Sequence, residues 1–89
     1  MLRVTANSEN RSSTTLRLEG RLVGPWVEAL REACEKPLGE GRQVKLDLGD
    51  LSFVGSEGIS LLKNLNARGA TFVRATRFIS GLLKEAGIG

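Results

Sequence analysis

Histidine is absent from the 89 residues. That removes Ser/His and Cys/His nucleophilic machinery, histidine general bases and histidine metal ligands together. Cysteine occurs once, at Cys34, which excludes an intramolecular disulfide and a multi-cysteine zinc site. Tyrosine is missing, and three Phe with one Trp are too few aromatics for the stacking groove that single-stranded nucleic acid needs. No uninterrupted apolar run exceeds two residues, far below the ~20 of a membrane-spanning helix. The N-terminus lacks the apolar core of a secretory signal, so the Asn10-Arg11-Ser12 sequon carries no weight and a reducing cytoplasm is the expected setting. These absences point away from an enzyme.

What remains is ordinary for one small folded domain: 40% hydrophobic and 26% charged residues, net charge +3. The charge is uneven. Residues 60–89 hold five cations (Lys63, Arg68, Arg74, Arg77 and Lys84) and one anion, Glu85. These cations stand singly rather than in clusters, which fits a solvated face better than a nucleic-acid or membrane patch.

Residues 2–6 read as a strand, 7–13 as a polar turn or loop, and 14–22 as a second strand with Leu16, Leu18 and Leu22 on one side, forming a hairpin. Gly24-Pro25 opens a helix, because proline at the first helical position loses nothing by lacking an N–H. Its apolar stripe is Trp26, Leu30, Ala33 or Cys34, and Leu38, with Pro37 as its stop. Val44, Leu46 and Leu48 alternate with Lys45 and Asp47 as a third strand. A second helix follows with Ile59, Leu62 and Leu65 inward, Ser56 as N-cap, Glu57 in the first turn and Gly69 as the terminating glycine. Residues 70–75 form a fourth strand. Thr76 caps a third helix with Phe78 or Ile79, Leu82 or Leu83, and Ala86 inward, and Gly87-Ile88-Gly89 closes the chain. The order β-β-α-β-α-β-α predicts an α/β fold: a mixed four-stranded sheet with an N-terminal hairpin, then right-handed β-α units with helices packed on the sheet.

Known catalytic signatures fail. There is no phosphate-binding P-loop and no dinucleotide fingerprint, and Val54 stands where a nucleophile elbow before Ser56 would need glycine. Asp47, Asp50 and Glu57 form the one conceivable Mg²⁺ set, but such residues more often cap turns and helices. No metal and no cofactor is expected.

The stretch Val44-Lys45-Leu46-Asp47-Leu48-Gly49-Asp50-Leu51-Ser52-Phe53-Val54-Gly55-Ser56-Glu57-Gly58-Ile59 resembles the signature of STAS domains, the bacterial anti-sigma-factor antagonists and their relatives. That family's pattern is a strand ending in Leu-Asp-Leu, a short loop, then Asp-Ser-Ser-Gly opening a helix. Leu16-Arg17-Leu18-Glu19-Gly20-Arg21-Leu22, Gly69-Ala70-Thr71-Phe72-Val73 and Leu82-Leu83-Lys84-Glu85-Ala86-Gly87-Ile88 resemble other parts of it in the right order. The resemblance implies one domain over residues 1–89, short of the final strand and helix that many members carry. It implies partner switching without catalysis: the unmodified domain binds a kinase-type anti-sigma factor or related sensor, and phosphorylation of the second serine releases it. Here Gly-Ser-Glu-Gly replaces Asp-Ser-Ser-Gly. Gly55 stands for the aspartate and Glu57 for the phosphorylatable serine, so Glu57 either imitates the phosphorylated state or simply favours the helix N-terminus. Ser56 is the remaining phosphorylation candidate. The implied docking surface is Ser52, Phe53, Val54, Gly55, Ser56, Glu57, Gly58 and Lys63. No nucleic acid and no inserted membrane segment are expected, and an edge at 70–75 would leave room for a homodimer. Two other roles compete. One is a cytosolic regulatory subunit of a phospholipid or anion transporter, which other STAS domains serve. The other is a small nucleotide- or anion-binding domain using the amides of Gly55 and Gly58, which the charge of Glu57 disfavours.

Overall fold

Alternation of leucines with polar residues builds the centre of the fold. In the computed structural model, which describes residues 1–88 and leaves the Glu9 side chain aside, β1 (Leu2–Asn10), β2 (Ser13–Leu22), β3 (Gln43–Val54) and β4 (Thr71–Val73) form one sheet in that order. Three helices intervene: α1 (Pro25–Gly39), α2 (Ser56–Ala67) and α3 (Arg77–Glu85). β1 and β2 are antiparallel, and β2–β3 and β3–β4 are parallel. This is the mixed α/β sheet that the sequence order predicts. Gly89 lies outside the described residues.

One face of the sheet is apolar. Leu16, Leu18 and Leu22 of β2 and Val44, Leu46, Leu48, Leu51 and Val54 of β3 are buried. They form a single cluster with Val27, Leu30 and Cys34 of α1, Leu61, Leu62 and Leu65 of α2, and Ile79 and Leu83 of α3. The opposite face is polar, with cross-strand neighbours such as Arg3–Glu19, Thr5–Arg17 and Arg17–Asp47. Arg17 also pairs with Asp50 there.

Several boundaries differ from the sequence expectation, each for a physical reason. β1 runs on to Asn10 despite its polar composition, because its backbone pairs with residues 13–15 and only Arg11-Ser12 make the turn. The Asn10 carboxamide oxygen accepts from the Ser12 N–H at 2.8 Å, an Asx-type closure. Pro37 does not end α1; it lies inside the last turn, buried, and the helix continues to Gly39. The stripe facing the sheet is Val27, Leu30, Cys34 and Pro37, leaving Trp26, Ala33 and Leu38 partly buried at its margins. β3 does not stop at Leu48. Its register against β2 slips twice, between Arg17 and Glu19 and between Gly20 and Arg21, and at each slip β3 uses one more residue than its partner. The two bulges put Leu48, Leu51 and Val54 on the core face at intervals of three instead of two. β4 is only the three residues Thr71–Val73.

Helix ends follow local rules. α2 stops in a Schellman motif: Gly69, at φ +104°, donates to the Asn66 carbonyl at 3.0 Å and Ala70 to that of Leu65 at 2.9 Å. The same pattern recurs after α3, where Gly87 donates to Lys84 and Ile88 to Leu83. The buried Ile88 closes the core there. Thr76 caps α3, its hydroxyl accepting from the Ile79 N–H at 3.2 Å, as its position before the helix predicts. Inward on α3 are Ile79 and Leu83; Phe78 points outward.

Candidate functional site

The junction of β3 and α2 brings most of the expected residues together. Its geometry is set by glycines. Gly55, in extended conformation, is the N-cap of α2, and its N–H donates to the Leu22 carbonyl at 3.0 Å. Ser56 is therefore the first helical residue rather than the cap, and no side chain caps this helix. Gly58 is buried. A Cβ there would lie 2.8 Å from the Leu22 carbonyl oxygen and 2.8 Å from Val54 Cγ1. The first turn of α2 thus sits directly on the end of β2, closer than any residue with a side chain would allow.

This anchoring sorts the expected docking residues. Ser56 and Glu57 are exposed in the first turn, where a carboxylate is favoured by the helix dipole. Val54 and Gly58 face the core, so neither offers a side chain to a partner; both belong to the support beneath the surface. The Ser52 hydroxyl donates to the Gly20 carbonyl at 2.9 Å and ties β3 to β2. Phe53 is exposed, 42% of its surface reaching solvent. Lys63 is exposed two helical turns beyond Ser56, on its stripe. It lies about 120° round the helix from Glu57, so the two charges do not share a face.

Glu57 instead overlooks a groove between α1 and α2. Gly24, Val27, Glu28 and Arg31 line one side, and Glu57, Ser60, Leu61 and Asn64 the other. Arg31 is engaged by Glu28, Nε to Oε2 at 3.1 Å, and Glu57 has no ion-pair partner among the described residues. Lower down, Arg68 of the α2 C-cap meets Glu35 of α1 through two bonds of 2.7 and 3.2 Å. That guanidinium hydrogen bond holds the Glu35 carboxyl below its ordinary value.

Two features escape sequence reasoning. The α1 side of the groove is one, because Gly24, Glu28 and Arg31 read as ordinary first-turn and surface residues. The other is Phe78, whose ring stacks on Phe53; an apolar residue beside Ile79 in a helix gives no sign of which faces in. Among the described residues, no group of three His, Cys, Asp or Glu is placed to hold a metal ion. Cys34 is buried, and burial pushes its thiol up to about 11, which leaves it protonated and unreactive. Among the described residues, no helix is long and apolar enough to cross a membrane.

Comparison with known proteins decides the family. The family model described as "Mlab, STAS domain" matches residues 5–89. The chain is a STAS domain. Among solved structures, it is similar to the anti-sigma factor antagonist SpoIIAA in its unphosphorylated form, with TM-score 0.82 and 20% identity over 98% of this chain and 83% of that one. The Bacillus cell fate determinant SpoIIAA in its phosphorylated form aligns at TM-score 0.77 and 20% identity, covering 98% and 86%. An anti-sigma factor antagonist from Mycobacterium paratuberculosis aligns at 0.71 and 18%, covering 96% and 82%. At these identities the neighbours establish that the STAS domain shares their fold. No curated protein matches its sequence.

Proposed function

We propose that this STAS domain is a non-enzymatic docking module that acts by partner switching from the N-terminus of α2, and that Glu57 makes it insensitive to phosphorylation at the position family members modify. The partner is an anti-sigma factor or a related sensor or kinase-type protein in the cytoplasm. The observation that carries the reading is the exposed Glu57 in the first turn of a helix whose buried Gly58 is clamped against β2. A surface so held presents its side chains with little ordering cost on binding. A carboxylate carries one negative charge where a phosphate would carry about −1.5 to −2 and three acceptor oxygens. It has no hydroxyl to modify, so the charge at this point is constant. Ser56, exposed beside it, keeps a free hydroxyl and is the only residue of the motif a serine kinase could use.

A photo-reactive p-benzoylphenylalanine at position 56, installed in cells, tests the docking surface. One predominant adduct, lost when Glu57→Lys is added, is the expected result. Adducts formed only from the polar sheet face, for instance from position 7, would reverse it.

The substituted motif also favours a second reading, a regulatory subunit of a membrane transporter, since a subunit that stays bound needs no phosphorylation cycle. Identification of the adduct separates the two: an ATPase of a transporter supports the second, a kinase-type anti-sigma factor the first.

A further inference from the structure

Three large apolar side chains are exposed among the described residues: Met1, Phe53 and Phe78. They are not scattered. The rings of Phe53 and Phe78 are stacked, with centroids 6.5 Å apart and planes at 25°. Phe53 is in register with Arg21 on β2, and the Arg21 N–H donates to the Met1 carbonyl at 3.0 Å. The row Met1, Arg21, Phe53, Phe78 therefore crosses the end of the sheet where β3 gives way to α2. Each aromatic is held by a fixed element, Phe53 by the strand and its Ser52–Gly20 tie, Phe78 by a helix capped at Thr76. Contiguous exposed aromatics on rigid elements have the character of binding anchors.

Charge says what they bind. Arg17, Arg31, Arg42, Arg68 and Arg74 each have a carboxylate partner. Arg3, Arg11, Arg21 and Arg77 have none among the described residues; of these, Arg21 lies in the row and Arg77 adjoins Phe78 in the chain. The depression along the row is lined by Arg21, Ser52, Phe53 and Phe78, with no acidic group. A lipid surface fits less well, because two arginines supply only about 1 kcal/mol each near anionic headgroups.

We infer that this row is a second contact for the protein partner, receiving an acidic segment with a short apolar centre. The apolar group lies against the Phe53–Phe78 pair, and the flanking carboxylates meet Arg21 and Arg77. The inference rests on the reading of the domain as a docking module, but not on Glu57.

Titration of the ¹⁵N-labelled chain with the synthetic peptide acetyl-EEDLFEDE-amide, read by amide chemical shifts, tests it. Saturable shifts at Arg21, Phe53 and Phe78 are expected. Arg21→Glu, a purely surface change, should raise the Kd about tenfold by turning attraction into repulsion. Phe78→Ser should abolish saturation, while Asn7→Ala, exposed at the far end of β1, leaves the Kd within about twofold. Equal binding of acetyl-KKKLFKKK-amide, or no saturable shift at millimolar peptide, would overturn the inference. So would Phe78-dependent binding to phosphatidylcholine vesicles containing phosphatidylglycerol in place of peptide binding. If the peptide fails while position 56 still cross-links, only this row is refuted; if position 56 yields no adduct while the peptide binds, the fault lies in the α2 reading.

Discussion

Replacing Gly58 by alanine isolates the contact that seats the first turn of α2 on the end of β2. In an unobstructed helix, Gly→Ala stabilises by about 0.8–1.0 kcal/mol. At position 58 the new methyl would stand 2.8 Å from the Leu22 carbonyl oxygen, 2.8 Å from Val54 Cγ1 and 3.0 Å from Leu22 Cγ. The carbonyl cannot retreat freely, because it also accepts the Gly55 N–H at 3.0 Å. Relief requires lifting α2 by several tenths of an ångström, at the expense of that hydrogen bond and of core packing. Overpacking of this kind costs about 1–3 kcal/mol, and the hydrogen bond adds about 1 kcal/mol. Against the helix gain, the net loss is about 1–3 kcal/mol, or roughly 4–24 °C in Tm for a domain of this size. Thermal unfolding followed by circular dichroism reads it directly. Gly81→Ala is the matched control: it lies in α3, exposed, and its Cβ would meet nothing within 4 Å. That variant should gain roughly 3–8 °C. A Gly58→Ala protein as stable as the parent, or stabilised like Gly81→Ala, would refute the argument that α2 is seated by close approach.

Three other outcomes follow from the same structure. Thr76→Ala removes the α3 cap and should cost about 1 kcal/mol, a fall in Tm of roughly 4–8 °C, with the Phe53 and Phe78 amide resonances shifting together. Cys34 should resist a thiol reagent such as dithiobis-nitrobenzoate in the folded protein at pH 8 and react at once in denaturant. Because its folded pKa, about 11, exceeds the unfolded value of 9.0, its contribution to stability is complete below pH 9. It falls as pH rises from 9 to 11, at up to about 1.4 kcal/mol per pH unit, visible as a declining urea midpoint that Cys34→Ala flattens. Incubation with a serine kinase of the family and ATP should leave no phosphate on the parent by mass spectrometry and place it on residue 57 of Glu57→Ser; phosphate on Ser56 of the parent would contradict the constant-charge reading.

Much of this fold is legible in the sequence because its signals are local and agree with one another. Leu16, Leu18, Val44 and Leu46 alternate as half-buried strands do, Pro25 sits where a helix begins, Thr76 caps, and Gly69 terminates. The misread positions are those governed by distant partners. Asn7 to Asn10 look like a turn until the ladder to β2 is counted. Pro37 looks like a stop, yet α1 takes it into the last turn and buries it against the sheet. Gly49-Asp50 looks like the end of β3, while two bulges carry the strand on and change which residues face inward. The candidate site was legible to the same degree. The motif locates Ser56 and Glu57, but it cannot separate exposed Phe53 from buried Val54, nor reveal that Phe78, 25 residues later, stacks on the former.

The most direct measurement is the affinity of the partner captured from position 56, purified and titrated by calorimetry against the parent, Glu57→Lys and Asn7→Lys. Residue 57 stands in the proposed surface and residue 7 on the polar face of the sheet, yet both are exposed and both changes add a cation. Glu57→Lys is predicted to alter the Kd at least about tenfold and Asn7→Lys by less than about twofold. Equal affinities for all three proteins, or a large effect confined to Asn7→Lys, would contradict the placement of the docking surface at the start of α2.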